Sequence, residues 1–193
     1  MRDLAVLAFV TLDGVMQAPG SVDEDRSAGF AHGGWATPYW DGVMDHVLRT
    51  AMADPYDIVL GRRTYDLFAN HWPQVSGSKA AERLNGSAKY VMTSSPIATE
   101  WQHTQILTGK LFDEINALKA QDGPLLQVHG SAMLVRSLMG HGLVDELRLW
   151  TFPVLVGAGK RLFEGNSTHQ PVHLLAAETL DNGVSSHVYR LAA

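Results

Sequence analysis

Asp57-Ile58-Val59-Leu60-Gly61-Arg62-Arg63-Thr64-Tyr65 and Leu125-Leu126-Gln127-Val128-His129-Gly130-Ser131-Ala132-Met133 are the two stretches that decide the fold. Each runs from a short apolar strand through a glycine into a helical pattern. A glycine at such a junction lets backbone approach a ligand closely, and the free N–H groups of the new helix face an anion. The first junction adds Arg62, Arg63 and Thr64, the donors expected around a phosphate. A third polar strand end, Thr93-Ser94-Ser95, follows the same logic. One strand–Gly–helix turn is common in any α/β protein; two, with a polar third, point to a nucleotide cofactor lying across the sheet edge.

Outward from these junctions the chain alternates. Residues 4–12 read as a buried strand, and a Gly-, Pro-, Ser- and Asp-rich segment from Asp13 to about Pro38 follows. So long a stretch without periodicity is either functional, as a lid, or partly disordered. Tyr39 to Ala53 is amphipathic, with Trp40, Val43, Met44, Val47, Leu48 and Met52 on one helical stripe. Further strands are expected at Ile58–Leu60, Lys89–Thr93 and Leu125–Val128. Helices are expected from Thr64, over Leu111–Ala120, and over Ala132–Gly140, the last ended by its glycine. Glu146–Val156 is strand-like, Gly157-Ala158-Gly159 turns, and Val172–Thr179 with Ser185–Leu191 form a closing antiparallel pair. The pattern is α/β: a mixed, mostly parallel central sheet flanked by helices, with an antiparallel C-terminal edge.

The 193 residues fit a single domain, 1–193, with a full core. Hydrophobic residues at 46% and charged residues at 18% describe an ordinary globular chain. A net charge of −5 argues against nucleic acid or an anionic membrane as partner, so phosphate recognition has to be local. There is no cysteine, which excludes disulfides, thiolate metal sites and cysteine nucleophiles. The apolar run after Met1 is broken by Asp3 and is explained better by a first core strand than by a signal peptide. No stretch reaches the roughly 18 apolar residues of a membrane span, and a cytoplasmic location is expected.

Taken in order, Gly61-Arg62-Arg63-Thr64-Tyr65, Thr93-Ser94-Ser95, Val128-His129-Gly130-Ser131-Ala132 and Leu143-Val144-Asp145-Glu146-Leu147 resemble the signature of the dihydrofolate reductase superfamily. Val10-Thr11-Leu12-Asp13-Gly14, the run from Tyr65 to Trp72-Pro73, and Val156-Gly157-Ala158-Gly159-Lys160-Arg161-Leu162-Phe163 resemble its branch related to the reductase domain of riboflavin biosynthesis. The resemblance extends from Leu4 to Leu191. It implies a dihydrofolate reductase-like domain that binds NADPH, with the nicotinamide end near the first strand. It also implies phosphate contacts from Gly61, Arg62, Arg63 and Thr64. Thr93, Ser94 and Ser95 would lie by the adenosine 2′-phosphate, and His129, Gly130, Ser131, Ala132 and Met133 would pass under the pyrophosphate. Two departures stand out: His129-Gly130-Ser131 replaces a Gly-Gly pair, and Val15 replaces the lysine usual after Leu-Asp-Gly. They leave the substrate open.

Each candidate has a plain alternative. Arg62 and Arg63 oppose the helix dipole, so something negative should offset them. Thr64 either caps the helix or meets a phosphate, and Ser94 and Ser95 before Pro96 either turn the chain or bind ligand. Asp45, sixteen residues before Gly61, matches the spacing of the folate-binding acid of dihydrofolate reductases; otherwise it is a solvated position four residues after Asp41. Asp13 either faces substrate as a second catalytic carboxylate or closes the strand through its turn. Thr11, Trp35, Trp40 and Thr151 are the expected substrate-side residues, with Trp35, Tyr39 and Trp40 forming either a stacking wall or core packing. The nine histidines show no metal-ligand spacing, so no metal is expected. The expected function is hydride transfer from NADPH to a small heterocyclic or sugar-derived substrate, the alternative being ligand binding without turnover. A homodimer is expected through Arg148–Val156, on the premise that Trp150 and Phe152 stand exposed on an edge strand.

Overall fold

In the computed structural model, which describes residues 1–97, 99–164 and 169–192, the chain winds around one eight-stranded sheet. The strands are β1 (Leu4–Thr11), β2 (Tyr56–Gly61), β3 (Lys89–Met92), β4 (Thr104–Leu107), β5 (Leu125–His129), β6 (Glu146–Phe152), β7 (Val172–Thr179) and β8 (Ser185–Leu191). Their order is β4-β3-β2-β5-β1-β6-β8-β7, parallel from β4 through β6 and antiparallel at β8 and β7. The helices are α1 (Trp40–Arg49), α2 (Arg62–His71), α3 (Lys79–Gly86), α4 (Leu111–Ala120) and α5 (Ala132–Gly140). No helix among the described residues is long and apolar enough to cross a membrane.

A strand with helices on both sides must be apolar on both faces, and β1 is. Leu4, Val6, Ala8 and Val10 join a core beneath α4 and α5, while Leu7 and Phe9 meet the core beneath α1, α2 and α3. In α1, Val43 and Val47 lie one turn apart and are fully buried, each stabilising by about 1.5–3 kcal/mol. Helix α5 stops at His141, with Gly142 left-handed and the Leu143 N–H returning to the Leu138 carbonyl, so the terminating glycine is Gly142 and not Gly140.

The structure corrects the premise of the dimer argument. Trp150 and Phe152 are 1% and 0% exposed, because β6 lies between β1 and β8 rather than at an edge. Their rings pack around Phe9, with Trp35 and Tyr39 edge-on to Phe152. The antiparallel edge belongs to β7, where all eight residues are exposed, including Val172, Leu174 and Leu175.

The segment from Asp13 to Pro38 is ordered on the protein, with buried anchors at Val15, Met16, Phe30 and Trp35. Gln17 holds its far side, donating to the Asp25 and Ser27 carbonyls and accepting the Lys160 N–H. Lys160 Nζ reaches the Asp25 carboxylate and Ser27 Oγ. Gly159, at φ +124°, is where this segment meets the Gly157–Leu162 turn: a Cβ there would lie 2.7 Å from Phe30 and 2.9 Å from Val15.

Candidate active site

The connection after β2 passes to α2 on one face of the sheet, and that after the neighbouring β5 passes to α5 on the other. Such a divergence opens a crevice at the carboxyl ends of parallel strands, where α/β proteins bind ligands. The expected cofactor residues gather along that edge, Thr93–Ser95 after β3, Gly61–Thr64 after β2 and Gly130–Met133 after β5, and Thr11 and Asp13, expected on the substrate side, stand at the end of β1.

The two glycine junctions interlock. Ser131 Oγ accepts the Gly61 N–H at 3.1 Å and lies 2.6 Å from Thr64 Oγ1. A Cβ on Gly61 would meet Ser131 Oγ at 3.2 Å, and one on Gly130, at φ +61°, would meet Thr64 Cγ2 at 3.4 Å. Gly61 therefore makes room for Ser131, while at Gly130 it is the left-handed backbone that favours glycine. Neither α2 nor α5 has a side-chain cap or an acidic residue in its first turn. Their first N–H groups and dipoles face the edge without an anion of their own.

The two arginines differ. Arg62 is held by Asp66 at 2.7 Å and by the Pro96 carbonyl at 3.2 Å, which ties α2 to the turn after β3. Arg63 is exposed and has no ion pair or hydrogen bond within the described chain. In the turn after β3, Thr93 Oγ1 accepts the Ser95 N–H, while Ser94 and Ser95 stand exposed. Met133 is 74% exposed, Leu12 65% and Leu155 72%, an apolar rim on the segments after β5, β1 and β6. Ala132 is buried, so it offers the edge only backbone.

His129 is placed differently. Its Nε2–H donates to Gln127 Oε1 at 3.0 Å, and its ring stacks on Tyr56 with centroids 5.7 Å apart. Gln127 spends its own N–H on the Ala51 carbonyl, which fixes this tautomer. Burial pushes the imidazole down to about 4, so it is neutral. The side chain belongs to the core beneath α1 and α2.

Asp13 closes the end of β1. It accepts from Thr11 Oγ1 at 2.6 Å, from the Gly157 N–H at 2.8 Å and from the Val156 N–H at 3.2 Å, with Arg161 Nη2 3.5 Å away. The Thr11 hydroxyl, followed by the two backbone N–H groups, holds this carboxyl down at about 2 against some desolvation. Thr11 is itself buried and also accepts the Val15 N–H, so its hydroxyl is committed. Asp13 thus joins β1 to the 156–161 turn, and its partners Arg161 and Gly157 stand in the Val156–Phe163 motif, where the sequence alone assigns them no site role.

Asp45 lies on the exposed side of α1. With Asp41, Arg49 and the residues 179–182 it lines a groove of about 520 Å³ at the β7–β8 turn, apart from the glycine junctions. Trp35 is core, its Nε1–H donating to the Gln17 carbonyl, while the half-buried Trp40 packs edge-on to Phe9 and also lines the groove beside Asp45. Thr151 is half-buried in β6 between Val10 and Ser185. Among the described residues no group of three or more acidic or histidine side chains is placed to hold a metal.

An eight-stranded, mostly parallel sheet with an antiparallel edge and helices on both faces is the dihydrofolate reductase-like α/β fold. The comparisons agree: the chain superposes on a dihydrofolate reductase from Enterococcus faecalis complexed with NADP(H) and RAB-propyl, with a TM-score of 0.64 and 14% identity over 99% of this chain and 97% of that one. A pyrimidine reductase-like protein (DIP1392) from Corynebacterium diphtheriae gives 0.68 and 15% identity over 100% and 92%. The chain belongs to the RibD C-terminal domain family, whose model matches residues 2–186. Among curated proteins it is 28% identical to the uncharacterized protein YyaP of Bacillus subtilis (strain 168), over 68% of this chain and 72% of that protein.

Proposed function

We propose that this chain is an NADPH-dependent reductase that delivers hydride to a small heterocyclic or sugar-derived substrate. The observation that carries the reading is the interlocked pair of uncapped helix starts, with Arg63 beside them unpaired among the described residues. Together they offer backbone N–H groups, hydroxyls and one free guanidinium to a phosphate-bearing ligand. The family membership supports it, as does the likeness in fold to proteins described as a pyrimidine reductase-like protein and an NADP(H) complex. The residues present fit the cofactor: Gly61–Thr64 and Gly130–Met133 for its pyrophosphate, Arg63, Ser94 and Ser95 for its 2′-phosphate. When bound, NADPH supplies the hydride. The chain's part is to orient that donor along the carboxyl edge and to exclude water with the apolar rim of Leu12, Met133 and Leu155. NADPH should raise the melting temperature by mass action, and more than NADH does. No shift with either nucleotide at saturation would remove the reading.

A second reading, nucleotide binding without turnover, is favoured by one observation: Asp13 is ionised and committed, and Asp45 lies elsewhere. Loss of reduced-nicotinamide absorbance with any pteridine, pyrimidine or dicarbonyl compound would decide for the enzyme. For the assembly, we propose a homodimer in the cytoplasm that covers β7, whose exposed Val172, Leu174 and Leu175 otherwise face water. Sedimentation at micromolar concentration should give a dimer that Leu174→Arg splits; a monomeric parent protein would refute this.

A further inference from the structure

We propose that Ser131 is a positioning residue whose hydroxyl locks the two glycine junctions together and turns the Thr64 hydroxyl hydrogen outward, toward a phosphate. The inference rests on the nucleotide reading above. Ser131 is left-handed, at φ 59° and ψ 61°, a conformation that non-glycine residues adopt only when their surroundings impose it. At the start of a helix a serine would ordinarily cap it, yet this hydroxyl makes no cap bond to α5. It reaches across to the other junction instead.

The direction of the hydrogen bonds follows from the donors. The Gly61 N–H can only donate, so Ser131 Oγ accepts from it at 3.1 Å. Between Ser131 Oγ and Thr64 Oγ1, 2.6 Å apart, either hydroxyl can donate. If Thr64 donates, it turns only lone pairs to the crevice and repels an anion. If Ser131 donates, a chain runs from the Gly61 N–H through Ser131 to Thr64 and leaves the Thr64 hydrogen free. A phosphate selects the second arrangement, and successive bonds of one direction polarise and strengthen one another. Thr64 is half-buried at the strand end rather than sealed in the core.

The test is a double-mutant cycle on nucleotide affinity, with Ser131→Gly, Thr64→Val and the double variant. Glycine removes the hydroxyl and accepts the left-handed backbone, so the ligand-free melting temperature should hold within about 2 °C. Affinity for NADPH and for NADH should each fall about tenfold in Ser131→Gly, because the contact serves the pyrophosphate that both carry. Thr64→Val should cost about as much, and the double variant no more than either alone. Losses that multiply in the double variant, or a Ser131→Gly protein that binds like the parent, would overturn the latch while leaving the cofactor reading in place. A parent protein that binds neither nucleotide would overturn the cofactor reading, and this one with it.

Discussion

Replacing Arg63 by Ala should separate the two nicotinamide nucleotides. Arg63 is exposed at the start of α2 and unpaired among the described residues, so its loss removes no intramolecular bond there. It also removes a cation from the positive end of a helix dipole, an unfavourable placement of about 0.3–1 kcal/mol. Folding stability should therefore hold or rise slightly. A charge-assisted hydrogen bond to the 2′-phosphate contributes about 1.5–3 kcal/mol. At about 1.4 kcal/mol per decade, that predicts an NADPH dissociation constant weakened by roughly 10- to 150-fold, with NADH changed less than about twofold. Arg62→Ala provides the contrast. Arg62 already spends its guanidinium on Asp66 and the Pro96 carbonyl, and removing it leaves the Asp66 carboxylate bare near the edge. Its loss should weaken both nucleotides alike and only modestly. Fluorescence titration of both nucleotides at low and moderate salt measures this, the Arg63 effect shrinking as salt screens it. Equal losses of NADPH and NADH in Arg63→Ala would place this side chain on the shared pyrophosphate and refute the assignment; no loss would remove it from the site.

Two glycines test how the Asp13–Pro38 segment is held. Gly77→Ala (φ +70°, open space) should cost about 1–2 kcal/mol of backbone strain, whereas Gly159→Ala adds a Cβ 2.7 Å from Phe30 and should cost about 1–3 kcal/mol more. Thermal melts should fall by about 2–4 °C per kcal/mol, so equal melting temperatures for the two variants would show that Phe30 gives way freely. Acid unfolding should come in two windows. His129 has its folded value depressed to about 4 against about 6.5 unfolded, so stability drops by about 1.4 kcal/mol per pH unit as pH falls from 6.5 to 4, and His129→Gln should flatten that limb. Asp13 and Asp25 are both lowered to about 2. For Asp25, burial pushes upward but is outweighed by Lys160 and Ser27. Their stabilisation is complete above about pH 4 and lost as pH falls toward 2, so Asp13→Asn should flatten the lower limb alone.

The parallel centre of the sheet was legible because buried strands leave short apolar runs and the junctions carry glycine. The junction glycines point to a ligand in the sequence, and the structure adds that Gly61 donates its N–H to Ser131 of the other junction; that pairing joins residues 70 apart, and no local pattern records it. Helix α3 went unread although Ser78 caps it by accepting the Ala81 N–H and Gly86 ends it, because eight residues give few turns of periodicity. Strand β4 has four residues with only Leu107 buried, too short and too open for alternation to show. Trp150 and Phe152 misled for a physical reason. They alternate with Leu147 and Leu149, so both faces of β6 are apolar, the mark of a strand covered on both sides rather than one showing aromatics to water. The Asp13–Pro38 segment has no period of its own because Val15, Gln17 and Phe30 dock on Gly159 and Lys160, more than a hundred positions later.

Hydride transfer to an imine or carbonyl also needs a proton, and the geometry limits where it can come from. Asp13 accepts three hydrogen bonds and stays ionised far below neutral pH; a carboxylate that strongly held is a poor donor near pH 7. Thr11 is committed to Asp13 and Val15, and His129 faces Gln127 and Tyr56 within the core. Asp45, which would serve in a folate-type arrangement, borders the groove at the β7–β8 turn. A reductase of this build would therefore place donor and acceptor and take its proton from water or from the substrate itself. Asp45→Asn should then leave the maximal rate within about twofold, since general acid catalysis is ordinarily worth about 10²–10⁴. A loss of that larger size in Asp45→Asn would mean that α1 turns this carboxylate into the crevice when substrate binds.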